Sequence, residues 1–231
     1  MKKIILFPQD KGGIGKSFIA TLLYDYLCDH EVTVKAFDLD HANSTFNRFV
    51  PEAEFIDTDV DAGKLGVLDR LVHALREADV ALADNRASGG EKILHYLREA
   101  QLPDLQSELG FMLIFVVIAT DDLDANSQIA DLVDAYEDRV KWVIARNQRD
   151  GAQLALYGQS NSRRRLLELG AVEVEIPGLS EITRNRLQLA DLTVSRGRSA
   201  ETLHILDRSR CARYHAHMAA EFGKAREFLL P

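Results

Sequence analysis

The sequence contains few residues of the kinds that mark disulfide-bonded or membrane-spanning proteins. Only two of its 231 residues are cysteine, Cys28 and Cys211, and they lie far apart in helical surroundings. This spacing argues against both a disulfide framework and a cysteine metal site. No apolar run approaches the length of a transmembrane helix, since residues 111–119 have only the length of a buried strand. The apolar run at residues 4–7 is too short for a secretory signal, so we expect a cytoplasmic location.

Positive charge is scarce over most of the chain. The net charge of −8 argues against a wholly basic nucleic-acid binder. Residues 151–231, however, carry 12 Lys and Arg against 9 Asp and Glu, whereas residues 1–150 carry 16 against 27. This basic excess predicts either a weak DNA-facing surface or a set of solvated helix faces with local ion pairs. The arginines responsible are Arg163, Arg164, Arg165, Arg184, Arg186, Arg196, Arg198, Arg208, Arg210 and Arg213.

Strand and helix patterns alternate along the whole sequence, without repeats or a linker. Apolar runs predict strands at residues 3–7, 33–38, 53–57, 79–84, 111–118, 140–145 and 171–176. Helices are predicted between them, at about 16–29, 64–77, 91–100, 124–138, 152–169, 180–190 and 199–229. The pattern predicts one α/β domain over residues 1–231, with a doubly wound, mostly parallel sheet and helices on both faces. A ligand is then expected at the carboxyl ends of the strands.

A phosphate-binding loop follows the first predicted strand. Residues 11–17 read Lys-Gly-Gly-Ile-Gly-Lys-Ser, after the apolar run Ile-Ile-Leu-Phe and before a helix. The glycines let the backbone turn N–H groups toward an anion, and the helix N-terminus adds partial positive charge. Lys16 is expected to bridge the β- and γ-phosphates of a nucleotide, and the Ser17 hydroxyl to bind Mg²⁺.

The spacing of this loop departs from the ordinary pattern G-x-x-x-x-G-K-[ST]. Asp10 occupies the position of the first glycine, and the sequence matches instead the deviant form K-G-G-x-G-K-[ST]. In this it resembles the ParA/MinD family of ATPases. The resemblance implies that Lys11 reaches the nucleotide of a partner subunit. The alternative, a solvated loop lysine, is disfavoured because the other six residues of the motif are in register.

Two aspartates end the second predicted strand, in the segment Phe-Asp-Leu-Asp-His at residues 37–41. Alternation places Asp38 and Asp40 on the same side of the extended chain. The resemblance implies that Asp40 positions the hydrolytic water and that Asp38 supports the site through Lys16 or Mg²⁺. The alternative is that both aspartates cap a turn. In the next segment, residues 43–45, a capping role is favoured over nucleotide contact.

A third motif ends the fourth predicted strand at Asp84. An apolar strand that ends in aspartate is the Walker B arrangement, which holds a carboxylate near Mg²⁺. The next residues, Asp-Asn-Arg-Ala-Ser at 84–88, lack the proline of the common family pattern. They are more similar to the Asp-Asn-Gly-Ala-Ser form of conjugal-transfer ATPases of the TraL type. Asn85, Arg86 and Ser88 could therefore contact a partner protein rather than ATP.

A fourth motif supplies the pocket for the base. Asn147 follows the strand predicted at residues 140–145, and its carboxamide offers both a donor and an acceptor to an adenine edge. Taken alone, Asn147 would more often be a turn residue. The resemblance favours the ligand interpretation and implies that Pro177, in the segment Ile-Pro at residues 176–177, packs against adenine.

These motifs together predict an ATP·Mg²⁺ site. The catalytic residues predicted are Lys11, Lys16 and Asp40. The nucleotide-binding residues predicted are Gly12, Gly13, Gly15, Lys16, Ser17, Phe18, Asn147 and Pro177. The metal-binding residues predicted are Ser17, Asp38 and Asp84.

The resemblance implies an ATP-dependent dimerisation switch. Such a protein forms a homodimer when ATP is bound, hydrolyses ATP slowly with stimulation by a partner protein, and positions plasmid DNA or a conjugation or partition complex. Two alternatives stay open: an ATP-binding interaction module with little turnover, and a metabolic ATP-dependent enzyme of the same fold. The C-terminal helix places Tyr214, Met218, Phe222, Ala225 and Leu229 on one face. Packing of this face against the sheet or a dimer partner is favoured over membrane binding.

Overall fold

Seven strands form one parallel sheet in the computed structural model, which describes residues 1–40, 45–57, 66, 68–85, 87, 89–149 and 153–231. The strands are β1 (Lys2–Leu6), β2 (Val34–Asp38), β3 (Glu54–Phe55), β4 (Val80–Asp84), β5 (Phe111–Ala119), β6 (Lys141–Gln148) and β7 (Val172–Pro177). Their order in the sheet is β3-β2-β4-β1-β5-β6-β7, and every pair is parallel. The predicted α/β fold is confirmed.

Helices cover both faces of this sheet. They are α1 (Lys16–Asp29), α2 (Thr45–Phe49), α3 (Asp69–Ala74), α4 (Gly90–Glu99), α5 (Gln106–Leu109), α6 (Leu123–Tyr136), α7 (Ala155–Gly158), α8 (Asn161–Glu168), α9 (Glu181–Leu189), α10 (Val194–Gly197), α11 (Ile205–Gly223) and α12 (Arg226–Leu229). Helices α1, α2 and α9 to α12 contribute to the core on one face, whereas α3, α4 and α6 to α8 contribute to the core on the other.

Side-chain alternation along the strands separates the two cores. In β1, Ile5 belongs to the core under α1 and α11, whereas Ile4 and Leu6 belong to the core under α4 and α6. All three are fully buried. A strand covered on both faces has apolar residues at every position, which is why β1 and β5 are continuous apolar runs in the sequence.

The register of the sheet brings the predicted motifs to one edge. Asp38 of β2 lies directly opposite Asp84 of β4. On the other side of β1, Asn147 and Gln148 of β6 are paired with Ile176 and Pro177 of β7. The phosphate loop leaves β1 between these two groups, because β1 lies between β4 and β5 in the sheet. All four motifs therefore meet at the carboxyl edge of the strands.

Two predicted helices are each divided in the structure. The segment 152–169 contains α7 and α8, because Ser160 begins a new helix by accepting a hydrogen bond from the Arg163 N–H. The segment 199–229 contains α11 and α12, and α11 begins only at Ile205, with His204 as its N-cap. In addition, β6 extends beyond the predicted residue 145, so that Asn147 lies within the strand rather than after it.

The predicted apolar face of the C-terminal segment is buried within the chain. Its five residues are each at most 8% exposed: Tyr214, Met218, Phe222, Ala225 and Leu229. The Phe222 ring lies 5.5 Å from the ring of Tyr26 in α1, measured between centroids. Packing against the helix layer over the sheet accounts for this face. Among the described residues, we find no helix with the length and apolar character needed to span a bilayer.

Candidate functional site

The phosphate loop leads directly into helix α1. Gly13 and Gly15 have φ angles of 74° and 99°, in the left-handed region that glycine adopts without strain. Gly15 is the N-cap of α1 and has no side chain with which to satisfy the first N–H groups of the helix. These N–H groups and the helix dipole are therefore available to an anion.

Close contacts on both sides fix the backbone of this loop. A Cβ atom on Gly15 would lie 2.8 Å from Nδ2 of Asn147, and one on Gly12 would lie 3.3 Å from Cβ of Ala87. The Asn147 amide also donates to the carbonyl of Ile14 at 2.8 Å. The loop therefore lies against the ends of β6 and of the segment that follows β4.

Lys16 lies inside the loop. Its ammonium group donates to the Lys11 carbonyl at 2.7 Å, and the residue is only 6% exposed. Burial lowers the pKa of Lys16, while the carboxylates of Asp84 and Asp10 act in the opposite direction. A buried cation enclosed by a loop of N–H donors can contact a phosphate that enters the loop.

Lys11 is bound to carboxylates of its own chain. Its ammonium group lies 2.8 Å from Asp124 and 3.2 Å from Asp122, at the N-terminus of α6. Hydrogen bonds from the lysine to these two carboxylates raise the pKa of Lys11. The backbone N–H of Lys11 also donates to Gln128, one helical turn further along α6, at 3.1 Å. The predicted contact between Lys11 and a partner's nucleotide would require this lysine to leave α6.

The two aspartates after β2 lie together. Asp38 is fully buried, and its two oxygens accept hydrogen bonds from the backbone N–H groups of Asp40 and Asn47, each at 2.8 Å. Burial raises the pKa of Asp38, and these hydrogen bonds oppose the rise. Asp40 is 8% exposed at the same edge of the sheet. Thr45 begins α2, whereas residues 41–44 lie outside the described residues.

Asp84 is fully buried at the end of β4, beside the phosphate loop. Neither of its carboxylate oxygens has a hydrogen-bond partner of normal geometry among the described residues. Burial raises the pKa of Asp84 to about 7, the Ser17 hydroxyl lowers it, and the charge of Asp38 raises it further. Residues 86 and 88, from the motif that follows, lie outside the described residues.

The surroundings of Asp84 are suited to a divalent cation. An unpaired buried carboxylate beside a serine hydroxyl gains a partner when a cation or its bound water enters. Among the described residues, the side chains of His, Cys, Asp and Glu form no metal-binding group of three or more. Mg²⁺ is commonly held by one or two protein ligands together with phosphate oxygens and water, and Asp84 and Ser17 offer two such oxygen ligands.

A cavity of about 350 Å³ opens beside the loop. Its walls include the predicted residues Gly15, Ser17, Phe18, Asn147 and Pro177. Residues of α9 and α10, which were not predicted to take part, complete it: Arg184, Asn185, Leu187, Gln188 and Val194. A concave cavity that combines apolar side chains with convergent polar groups is typical of a site for a small molecule.

Aromatic contacts position the apolar side of this cavity. The Tyr214 hydroxyl donates to the Pro177 carbonyl at 2.8 Å, and the Tyr214 ring lies 6.3 Å from that of Phe18. The Asn147 carboxamide oxygen accepts from the Arg149 N–H at 3.2 Å. Because Asn147 also donates to the loop, it connects the cavity with the phosphate-binding backbone.

The structure adds residues that the sequence motifs missed. Gln9 is buried, donates to the carbonyls of Ile118 and Ala125, and accepts from the Ile118 N–H. Asp10 accepts a hydrogen bond from the Gly90 N–H at 2.6 Å. The only sequence signal for these contacts is the position of both residues immediately before the phosphate loop.

The arginines of the C-terminal third are mostly paired. Within the described part of the chain, at least six of the ten form ion pairs with carboxylates: Arg163 with Glu173, Arg165 with Asp134, Arg186 and Arg210 with Asp207, Arg196 with Glu52, and Arg198 with Asp29. These pairs reduce the positive potential that a phosphate backbone would meet.

Comparison with known proteins finds relatives in sequence and neighbours in fold. No protein-family model matches the chain. A curated relative, protein TraL of Escherichia coli, is 28% identical over 226 residues, which cover 91% of this chain and 92% of TraL. A second TraL protein of the same species is 28% identical over 203 residues and covers 80% of this chain and 81% of its own length.

Solved structures show the same fold. MinD in the MinC:MinD cell division complex of Aquifex aeolicus matches with a TM-score of 0.57 at 14% identity, covering 96% of both chains. The septum site-determining protein MinD of Pyrococcus horikoshii, solved with Mg-ADP, matches with a TM-score of 0.56 at 14% identity and covers 99% of both. The predicted resemblance to ParA/MinD-type ATPases, and within them to TraL, is confirmed. The chain has the fold of a P-loop NTPase.

Proposed function

We propose that this chain is an ATP-binding and ATP-hydrolysing dimerisation switch of the ParA/MinD type. The observation that carries the proposal is the meeting of Lys16 and Asp84 at the phosphate loop. Lys16, a buried cation, and Asp84, a buried carboxylate close enough to interact with it electrostatically, lie beside the backbone N–H groups at the start of α1. The negative phosphates of a nucleoside triphosphate complement the lysine and the N–H groups, and the divalent cation bound to them complements the carboxylate.

The loop and the cavity divide the recognition of ATP between them. The N–H groups of residues 12–17 receive the phosphates, and Lys16 exchanges its bond to the Lys11 carbonyl for contacts with the β- and γ-phosphates. The adenine enters the cavity that Phe18, Asn147 and Pro177 line, where Asn147 has a second amide hydrogen to donate to the base.

Ser17 and Asp84 would hold Mg²⁺, with Asp38 behind them. When bound, the ion neutralises charge on the phosphate oxygens. Asp40, at the end of the segment ordered by Asp38, orients the attacking water. A bond from the Asp38 carboxylate to the Asp40 backbone N–H restricts the position of Asp40 before the nucleotide arrives.

Dimerisation would complete the site through Lys11. In a face-to-face dimer each Lys11 leaves Asp122 and Asp124 and neutralises charge on the partner's γ-phosphate, as an arginine finger does. The similarity to TraL supports a conjugation or partition complex, or plasmid DNA, as the cargo. The similarity to MinD, which was solved in complex with MinC, supports a partner protein. We propose in addition that the chain is cytoplasmic and that this partner stimulates slow hydrolysis.

Sedimentation velocity with and without ATP·Mg²⁺ tests the switch. We expect a monomer without nucleotide and a dimer with ATP, most clearly in Asp40→Ala, which would bind ATP but hydrolyse it slowly. The matched control is Asp131→Ala, an exposed aspartate on the outer side of α6. A chain that stays monomeric in both the wild type and Asp40→Ala would refute the proposal.

A second function is favoured by the ion pairs of Lys11. A lysine already held by two carboxylates of its own chain would reach a partner's nucleotide less readily, which describes an ATP-binding module with little turnover. Measurement of phosphate release, alone and with DNA or a transfer protein, separates the two functions. Release at the background rate under every condition, together with ATP binding, would favour the module.

A further inference from the structure

We propose that Asp10 is a positioning residue that fixes helix α4 to the phosphate loop and couples the two when nucleotide binds. This inference rests on the proposed nucleotide function and gives a role to the residue that departs from the ordinary loop pattern. The link itself is present without a nucleotide, so it can be tested separately from that function.

The link is a hydrogen bond between residues 80 positions apart. Oδ1 of Asp10 accepts from the backbone N–H of Gly90, the first residue of α4, at 2.6 Å. The N-cap of α4 is Gly89, which has no side chain with which to cap the helix. Asp10 therefore supplies the capping carboxylate from the phosphate loop, and its negative charge is favourable at a helix N-terminus.

Close packing reinforces this link. A Cβ atom on Gly90 would lie 2.0 Å from the Pro8 carbonyl oxygen and 3.0 Å from the Asp10 carboxylate, so only glycine fits there. A second contact lies nearby, where a Cβ atom on Gly12 would meet Ala87 at 3.3 Å. Residues 8–12 thus touch the start of α4 at Gly90 and, separately, Ala87 in the segment before it.

The residues on the loop side of this contact are held firmly to the sheet. Gln9 is 2% exposed and makes three hydrogen bonds to the end of β5 and to α6. Asp10, the next residue, is consequently fixed relative to the sheet. On the other side, Asp84 ends β4 only six residues before Gly90.

The segment between Asp84 and Gly90 is therefore anchored at both of its ends. One end is the fully buried carboxylate in the candidate cation site, and the other is the bond to Asp10. A rearrangement at the phosphates would be passed to α4 through these two anchors. Without the acceptor on residue 10, α4 would keep its packing contacts but lose the hydrogen bond that ties its first N–H to the residue before the loop.

A purely structural cap would stabilise α4 without changing how it responds to nucleotide. Two readouts separate these roles. Hydrogen–deuterium exchange of peptides covering the start of α4, with no nucleotide, ADP or ATP, reports the link and its response. The steady-state kcat and KM for ATP report whether the coupling acts on turnover or on binding.

Four proteins are compared: wild type, Asp10→Ala, Asp10→Asn and Asp10→Gly. Asp10→Asn keeps an oxygen that can accept the Gly90 N–H, whereas Asp10→Gly restores the residue of the ordinary loop pattern and should fold if Asp10→Ala does not. We expect faster exchange at the start of α4 and a kcat lower by about tenfold in the Ala and Gly variants, with KM changed by less than about threefold. Asp10→Asn should recover most of the protection from exchange and most of the kcat. Asp131→Ala serves as the control.

Two results would overturn the proposal. One is a hydrogen–deuterium exchange rate at the start of α4 that is the same in Asp10→Gly and in the wild type in every nucleotide state. The other is an unchanged kcat in Asp10→Gly despite faster exchange, since the bond would then be only a cap. A wild type that neither binds nor hydrolyses ATP would refute the nucleotide function instead, and the nucleotide-free exchange would still decide whether the link exists.

Discussion

The two lysines of the candidate site, Lys11 and Lys16, are bonded within the chain before any ligand arrives. Lys16 donates to the Lys11 carbonyl, and Lys11 is paired with Asp124 and Asp122. To contact a nucleotide, each of these lysines must therefore give up a hydrogen bond or an ion pair that it already makes within the chain. The energy of each internal contact opposes the step that breaks it.

Release of Lys11 should favour the dimer. Asp124→Asn removes one carboxylate from Lys11 and leaves the α6 cap in place, because the cap is Asp122. Exposed ion pairs contribute little, so we expect ATP-dependent dimerisation to tighten by only roughly two- to fivefold when this pair is removed. Sedimentation equilibrium with ATP·Mg²⁺ measures the dimer dissociation constant.

Asp131→Asn, which changes the same charge further along α6, is the control for this variant. An Asp124→Asn dimer no tighter than that of the control would mean that the pair does not restrain Lys11.

Asp84 should destabilise the nucleotide-free protein at alkaline pH. Its pKa in the folded chain is raised from 3.8 to about 7, so the folded protein binds this proton more tightly than the unfolded chain. The stability that it contributes is fully present below pH 3.8 and is lost as the pH rises through about 7. Asp84→Asn should therefore raise the free energy of unfolding at pH 8 by on the order of 2–4 kcal/mol, while weakening Mg²⁺-dependent nucleotide binding.

Urea denaturation at pH 5 and pH 8 in EDTA checks this expectation. The increase in the free energy of unfolding that Asp84→Asn produces should be larger at pH 8 than at pH 5. A variant that is less stable than the wild type at pH 8 would contradict an unpaired carboxylate at this position.

At the scale of elements, α1 is attached to the helices that complete the cavity. Asp25 of α1 is 7% exposed and accepts hydrogen bonds from the Thr193 hydroxyl and the Ser195 N–H, each at 3.0 Å. Thr193 and Val194 line the cavity beside the phosphate loop. One buried carboxylate therefore connects the helix that receives the phosphates with the wall expected to receive the base.

Removal of this connection should lower stability. Asp25→Ala leaves a buried hydroxyl and a backbone N–H without their acceptor, which costs about 1–3 kcal/mol. Asp25→Asn keeps one acceptor and should lose less. Urea denaturation gives the free energies, and equal stability of Asp25→Ala and the wild type would show that these bonds contribute nothing.

The sequence predicted the strands and α1 well because their signals are local. Continuous apolar runs gave β1, β4 and β5 to within one or two residues, and the predicted bounds of α1 are those observed. Helix ends inside long polar segments were harder to predict. The start of α11 depends on the His204 cap, and the break before α12 has no clear pattern in the sequence.

Sequence motifs could predict those residues of the candidate site that lie within a motif. Lys16, Ser17, Asp38 and Asp84 could be named because their neighbours in sequence fix their place at the strand ends. The bonds from Lys11 to Asp124 and from Asp10 to Gly90 join residues 113 and 80 positions apart. Nothing in either local sequence identifies the partner, so only the fold reveals these contacts.

For the molecule as a whole, charge pairing limits the predicted DNA surface. Six of the ten C-terminal arginines are in ion pairs, which leaves at most four of that set to neutralise phosphates. Binding to a short duplex should then show a slope of log K against log salt no steeper than about −4. Fluorescence anisotropy at several salt concentrations gives the slope, and a value near −8 would mean that the ion pairs open on DNA.

Isothermal titration calorimetry with ATP·Mg²⁺ tests most directly the central claim that the phosphate loop binds ATP. The matched variants are Lys16→Ala, at the loop, and Lys141→Ala, at the opposite end of the sheet where β6 begins. We predict one site per chain in the wild type, the same affinity in Lys141→Ala, and affinity weaker by about a hundredfold or more in Lys16→Ala. A wild type that does not bind ATP, or a Lys16→Ala variant that binds it as tightly as the wild type, would contradict the account.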